Sequence, residues 1–305
     1  MSNAQGVKEN QSSVYVHGDN LYKKISDKEK DGKYGDDESQ KLLKEIEKQY
    51  LVWKIENEKL KGPLRDPDDH DDEIIKKRTK LLNTYKDFLD QPRYGERFDS
   101  RSNLHSSVLE EFVYYLFRDL VKDFSNEALI GKSHAFKDIF FRPPNYRKML
   151  TYPSAEVEKK DHDFVIGTSI DATFQCRGAK RSQREKFDLP AVAIECKTYL
   201  DKTMLESCST AAEQLKERNP DSLYIVLAER LKLTNDINLR KYKVDQIYVL
   251  RKEKNVDREY RYQPDWEGNP IYSDVVAHLF NYVRKHLTTD WESTNESGIK
   301  RGYLL

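Results

Sequence analysis

Residues 191–199 read Ala-Val-Ala-Ile-Glu-Cys-Lys-Thr-Tyr, an apolar run that ends on two opposite charges two positions apart. Alternate residues of a β-strand share a face, so Glu195 and Lys197 point one way and Cys196 the other. An ion left buried and unpaired costs about 3–5 kcal/mol, so two of them closing an apolar strand need a reason to be there. Upstream, His162-Asp163-Phe164-Val165-Ile166 sets another carboxylate at the mouth of an adjacent candidate strand. Asp163 and Glu195 could share one divalent cation, with the backbone carbonyl of Cys196 as a third oxygen ligand. An oxygen-only set suits Mg²⁺, which keeps several waters for a phosphate and a nucleophile. A lone Glu-x-Lys triplet is more often a solvated strand face. Here the apolar lead-in, the Asp-led strand and an acidic helix, Leu109-Glu110-Glu111-Phe112-Val113, weigh against that reading.

The elements that must position these residues follow from periodicity. Apolar residues recur at helical spacing from Glu38 to Lys61, stopped by Gly62-Pro63, and again to about Leu89 after the acidic turn at 66–72. That Asp/His run lacks the spacing and glycine of a calcium loop and reads as a helix-capping turn. A third helix, capped by Ser102 or Asn103 and running through Val121, has one broad buried face. Residues 162–170, 189–200, 223–229 and 245–252 read as strands, with a helix from Lys202 to Arg218 and an amphipathic helix near the C-terminus. Strands alternating with helices indicate an α/β core with a central mixed sheet flanked by helices. The organisation expected is a flexible or loosely docked arm over 1–36, a helical extension over 37–97 and a catalytic core over 98–305. Within that core, 171–188 reads as a basic insertion.

Within the insertion, residues 177–186 carry Arg177, Lys180, Arg181, Arg184 and Lys186 against one acid, Glu185. An Arg/Lys-rich loop is commonly just solvated, but its place beside the candidate strands favours contact with DNA phosphates and base edges. Over the whole chain 53 basic residues balance 53 acidic ones, so binding must come from local patches and not from bulk charge. Three cysteines with no paired spacing exclude a disulfide framework and a zinc site, and fit a reducing compartment. No apolar run approaches the roughly 18 residues of a membrane span, and the polar first residues have no signal-peptide core. Together these features place the protein in the cytoplasm. His162 has no second histidine at ligand spacing and reads as a polar flank or outer group. Cys196 reads as packing.

The set Asp163, Glu195 and Lys197 resembles the PD-(D/E)xK nuclease superfamily, which includes many type II restriction endonucleases. Asp163 matches the first acid, Glu195 the second and Lys197 the lysine. The helix before the sheet offers Glu110 and Glu111 for the glutamate many members place there, and the residues do not choose between them. The match covers about the C-terminal two-thirds of the chain. It departs in having His162 where proline is common, and in a gap of 32 residues between the two acids. The stretches HSSVLEEF and ECKTYLDKTMLE resemble the group that includes BbvCI- and DdeI-like enzymes. The resemblance implies a PD-(D/E)xK restriction-endonuclease-like core and Mg²⁺-dependent, sequence-specific hydrolysis of double-stranded DNA in a bacterial cytoplasm, by a homodimer or heterodimer. It gives Lys197 the task of orienting water and stabilising charge. Glu110 or Glu111 would hold the metal's outer waters or a second ion, and Gln214 would support the lysine. A repair or junction nuclease of the same superfamily, or a non-catalytic DNA-binding subunit of a heteromeric enzyme, is the alternative.

Overall fold

A computed structural model describes residues 14–26, 33–98, 102–255, 268–291, 299–300 and 302. Helices α1 (Val16–Ser26), α2 (Asp37–Lys59) and α3 (Asp71–Leu89) lead, through the short α4 (Pro92–Gly95), into α5 (Ser107–Phe124). Five strands follow: β1 (Leu129–Phe141), β2 (Ala155–Gln175), β3 (Ser182–Leu200), β4 (Leu223–Leu231) and β5 (Gln246–Val249). The four-residue α6 (Tyr146–Met149) lies between β1 and β2, α7 (Lys202–Arg218) between β3 and β4, and α8 (Ser273–Thr288) after β5.

The sheet is mixed, in the order β1-β2-β3-β4-β5. β1–β2 and β2–β3 are antiparallel, while β3–β4 and β4–β5 are parallel. A parallel neighbour requires a crossover, and α7 supplies it between β3 and β4. Alternation then sorts side chains to two faces. Val192, Ile194 and Cys196, with Ile225 and Leu227, join the core beneath α5 and α8. Ala193, Tyr224, Val226 and Ala228 pack with Leu205, Cys208 and Ala212 of α7. Gly167, at the β2–β3 bulge, has no room for a side chain: a Cβ would stand 2.1 Å from the Leu189 carbonyl oxygen.

Two parts of the sequence reading change. The stretch read as a flexible or loosely docked arm contains α1, whose Leu21 is buried in the main core and whose His17 and Gly18 amides donate to Glu111 of α5. Isolated from its partners, a short polar helix of this kind carries little apolar signal, which is why the sequence reads as loose. Residues 1–13 and 27–32 of that arm lie outside the described residues. The extension over 37–97 shares one continuous apolar core with α5 and α8: Leu43, Tyr50, Trp53 and Leu82 pack with Phe112, Tyr115, Leu279 and Phe280.

The basic insertion is not a loop but the outer half of a β-hairpin. Residues 171–175 pair with 182–186, leaving a turn at 176–181. The hairpin curls until its tip meets the β1–β2 connection. Gln183 brackets the Ala155 backbone, accepting from its amide at 2.9 Å and donating to its carbonyl at 2.6 Å. The curl also brings Ala135 of β1 into a parallel bridge with Asp188 of β3.

Candidate active site

β3 sets Glu195 and Lys197 opposite Val226 and Ala228 of β4. The β2–β3 ladder runs to the pair Phe164 and Ile194, and Asp163 stands one residue beyond it. There the Asp163 carboxylate replaces the next rung: the Cys196 amide donates to Asp163 Oδ2 at 2.9 Å. Lys197 Nζ donates to the same Oδ2 at 2.8 Å and to Glu195 Oε2 at 3.0 Å. One ammonium therefore ties together carboxylates from two strands. The site is a recess with an open mouth, the side chains of Asp163, Glu195 and Lys197 being 22%, 12% and 26% exposed.

The second oxygen of Glu195 has partners of its own. His162 Nδ1 and the Tyr224 hydroxyl each lie 3.2 Å from Glu195 Oε1, and the imidazole stands edge-on to the Tyr224 ring. His162 is thus an outer group that orients Glu195. Tyr224 escaped the sequence reading because it sits inside the apolar run Leu-Tyr-Ile-Val-Leu-Ala-Glu, where a tyrosine reads as core. Lys132 escaped it too. It lies at the β1 bulge between Gly131 and Ser133 and reaches Glu110 Oε2 at 3.1 Å.

These contacts set the charge states. Burial disfavours ionised Glu195, but the His162 hydrogen bond and the Lys197 charge outweigh it and hold the carboxyl down to about 2. Asp163 goes up, through burial and the negative charge of Glu195, against the pull of Lys197. Burial works against the Lys197 ammonium, yet Asp163 and Glu195 outweigh it and raise the lysine. Burial and the Asp163 charge push Glu110 up to about 7, Lys132 and Lys197 opposing. Three carboxylates therefore share one recess with two lysines.

Glu110 and Glu111 separate cleanly. Glu110 belongs to the recess. Glu111 does not, which corrects its candidacy: its Oε2 accepts from the His17 and Gly18 amides and its Oε1 from the Tyr50 and Tyr115 hydroxyls. Successive helix residues point about 100° apart, so only one of an adjacent pair can face the sheet mouth. Gln214 is half-buried on α7, and among the described residues no hydrogen bond joins it to Lys197. Arg177, Lys180, Arg181, Arg184 and Lys186 are exposed on the hairpin and are not part of the recess. Arg184 is roughly 35 Å of strand length from Glu195. Lys186 lies 3.9 Å from its cross-strand partner Asp171, both exposed, a contact of little energetic weight.

The donors fit a hard divalent cation. Asp163 and Glu195 offer carboxylate oxygens from adjacent strands, and the Cys196 main chain passes between them. Among the described residues no three His, Cys, Asp or Glu side chains converge as a ready ligand cluster. Two protein carboxylates with the remaining positions left to water and substrate suit Mg²⁺, whereas catalytic zinc sites usually take three protein ligands.

A mixed sheet flanked by helices, with two acids and a lysine at the mouth of adjacent strands, places the protein among restriction endonucleases. The chain belongs to the Bpu10I restriction endonuclease family, which it matches over residues 101–304. No curated protein matches the chain by sequence. Its fold is shared with a solved structure of the native BbvCI A2B2 tetramer, at a TM-score of 0.62 and 20% identity over 90% of this chain and 96% of that one. The shared fold reaches beyond the family match to the N-terminal helices.

Proposed function

We propose that the chain is a type II restriction endonuclease that hydrolyses phosphodiester bonds of double-stranded DNA, sequence-specifically and with Mg²⁺, in the bacterial cytoplasm. The observation that carries this reading is the single ammonium, Lys197 Nζ, held 2.8 Å and 3.0 Å from the carboxylates of Asp163 and Glu195. Family membership supports the reaction class.

Asp163 and Glu195 would hold the ion, with the Cys196 carbonyl as a third oxygen. Bound there, Mg²⁺ supplies Lewis-acid polarisation of the scissile phosphate and makes water more acidic. Lys197 orients the attacking water and offsets the negative charge that develops on the phosphate. It can do so because its neighbours keep it protonated. His162 and Tyr224 fix the Glu195 carboxylate in one rotamer, so that little reorganisation is left for the reaction. Glu110, anchored by Lys132, lines the recess from the α5 side and can order outer waters. Gln214 lies on α7, the helix packed on the sheet face that Glu195 and Lys197 share with Ala193, as a candidate support for the lysine.

Cutting both strands takes two such sites, so the working form is an oligomer. The BbvCI neighbour is an A2B2 tetramer, and this favours a heteromeric pairing for the present chain over a homodimer. Incubation of plasmid with the protein and Mg²⁺ or Mn²⁺, with and without a chelator, tests the reading. Discrete nicked or linear products that vanish with the chelator are expected. Cutting that persists in the chelator, or products of random length, would overturn it.

A further inference from the structure

We propose that the tips of the two curled hairpins form one DNA-docking head, in which the β1–β2 connection (142–154) grips the duplex together with the β2–β3 turn (176–181). The choice of occupant rests on the proposed action on DNA.

Charge comes first. The two segments carry Arg142, Arg147, Lys148, Arg177, Lys180 and Arg181 and not one acidic residue, in a chain whose charges balance as a whole. Six cations with no acid in either segment give a local positive field of the kind that releases counterions from a phosphate backbone. Arg142 lies over the Phe140 ring at 5.1 Å and 3.9 Å from the exposed Glu156, an ion contact worth little in water.

Packing shows that the two tips are one unit. The Cys176 thiol donates to the Met149 carbonyl at 3.3 Å, and Phe141 meets the Phe174 ring edge-on at 6.1 Å. Phe141, Pro143, Met149, Phe174 and Cys176 line a shared hollow of about 380 Å³. The connection is therefore held against the basic turn by side chains from both hairpins. Of the residues that the sequence assigns to DNA contact, Arg177, Lys180 and Arg181 belong to this surface, and the β1–β2 connection adds its other half.

Tyr146, Met149 and Leu150 are 74%, 54% and 55% exposed and stand among Arg142, Arg147 and Lys148. Large apolar side chains seldom gather on a surface without a partner. An apolar ridge flanked by cations suits a nucleic-acid groove: the cations take phosphates on either side, and the ridge lies against sugars or wedges at a base step. A purely apolar protein partner would leave the six charges desolvated and unpaired.

The test is binding of a fluorescein-labelled mixed-sequence duplex, followed by anisotropy over a range of salt concentrations without divalent metal. The combined variant Arg142→Ala, Arg147→Ala, Lys148→Ala is expected to bind about tenfold or more weakly, with a salt slope shallower by about 2–3. The variant Tyr146→Ala, Leu150→Ser is expected to lose affinity at an unchanged slope. These side chains are exposed, so melting temperatures should match wild type and confirm the fold. Wild-type affinity and slope in the triple variant would overturn the head. So would a variant that keeps its DNA affinity while sedimentation shows an oligomer falling apart, since the surface would then be a contact between copies. Plasmid cleavage by the wild type reads the nuclease proposal separately. Cleavage with an unaffected triple variant defeats the head alone, and head-dependent binding without cleavage defeats the nuclease reading alone.

Discussion

Glu110 and Glu111 are chain neighbours whose carboxylates leave α5 in different directions. Glu110 bonds Lys132 of β1 at 3.1 Å, while Glu111 receives the His17 and Gly18 amides of α1 at 3.0 and 3.1 Å. The first serves the recess and the second anchors a helix, so one turn of α5 joins chemistry to architecture.

Substitutions at the two positions should therefore fail differently. Glu110→Gln is expected to slow cleavage about 10–100-fold, as loss of an outer-shell group does, with a near-native melting temperature. Glu111→Ala strands two amides and two hydroxyls and is expected to cost about 3 kcal/mol or more, with the recess intact. Urea unfolding and plasmid cleavage, run on both variants, check the contrast. Equal loss of activity and equal loss of stability would contradict it.

The same anchor predicts a pH signature. Burial pushes Glu111 up to about 7 from 4.5, so its stabilising contribution is complete below pH 4.5 and is lost as pH rises through 7. Burial takes His17 the other way, to about 3 from 6.5, so its contribution is complete above pH 6.5 and is lost as pH falls toward 3. Between pH 4.5 and 6.5 the two slopes oppose, each at most about 1.4 kcal/mol per pH unit. Glu111→Gln removes one of them. Relative to wild type the variant should lose stability as pH falls from 7 to 4.5, by about 3 kcal/mol in all. Urea titrations at several pH values measure it, and parallel wild-type and variant curves would be the contrary result.

His162 and Tyr224 position Glu195 from the side away from Lys197. Tyr224→Phe removes one hydroxyl and is expected to weaken Mn²⁺ binding about tenfold while leaving the fold in place. His162→Ala removes the hydrogen bond that does most to hold Glu195 down near 2, so Glu195 should protonate at higher pH. The acid limb of Mn²⁺ binding should shift upward with it. Isothermal titration across pH separates these effects from a change in turnover, and unchanged affinity in both variants would remove their assigned role.

A buried ionic cluster ties α3 to the sheet. Lys86 Nζ lies 3.1 Å from Asp90 and 3.0 Å from Glu229 of β4, whose other oxygen is 3.2 Å from Arg251. Lys86→Met leaves Glu229 buried with one partner fewer and is expected to cost about 3–5 kcal/mol. A denaturation midpoint close to wild type would show that the cluster is slack.

The recess was legible because its chemistry is local to strands. Glu195 and Lys197 share a face by alternation, and an apolar run ending in charges is conspicuous. Asp163 stood at the head of a second such run. Tyr224, Lys132 and the choice between Glu110 and Glu111 were not legible, because each depends on which strand lies beside which and on the rotation of α5. The helix α1 was missed for a related reason. Beside the few apolar residues Val16, Leu21 and Ile25, its docking rests on Glu111, Tyr50 and Tyr85, far away in sequence. The hairpin over 171–188 was read as a basic insertion because Arg and Lys interrupt the apolar alternation on its solvated face. Its strand character appears only in the cross-strand register.

The central claim is that Asp163, Glu195 and Lys197 form a hydrolytic centre on one cation. The most direct measurement converts supercoiled plasmid with Mg²⁺ or Mn²⁺, comparing wild type with Asp163→Ala and Lys197→Ala, each also titrated with Mn²⁺. Wild type should cut and bind the ion. Lys197→Ala should bind it and lose cutting by about 10²–10³-fold, and Asp163→Ala should lose both. Cutting by either variant at the wild-type rate would contradict the assignment.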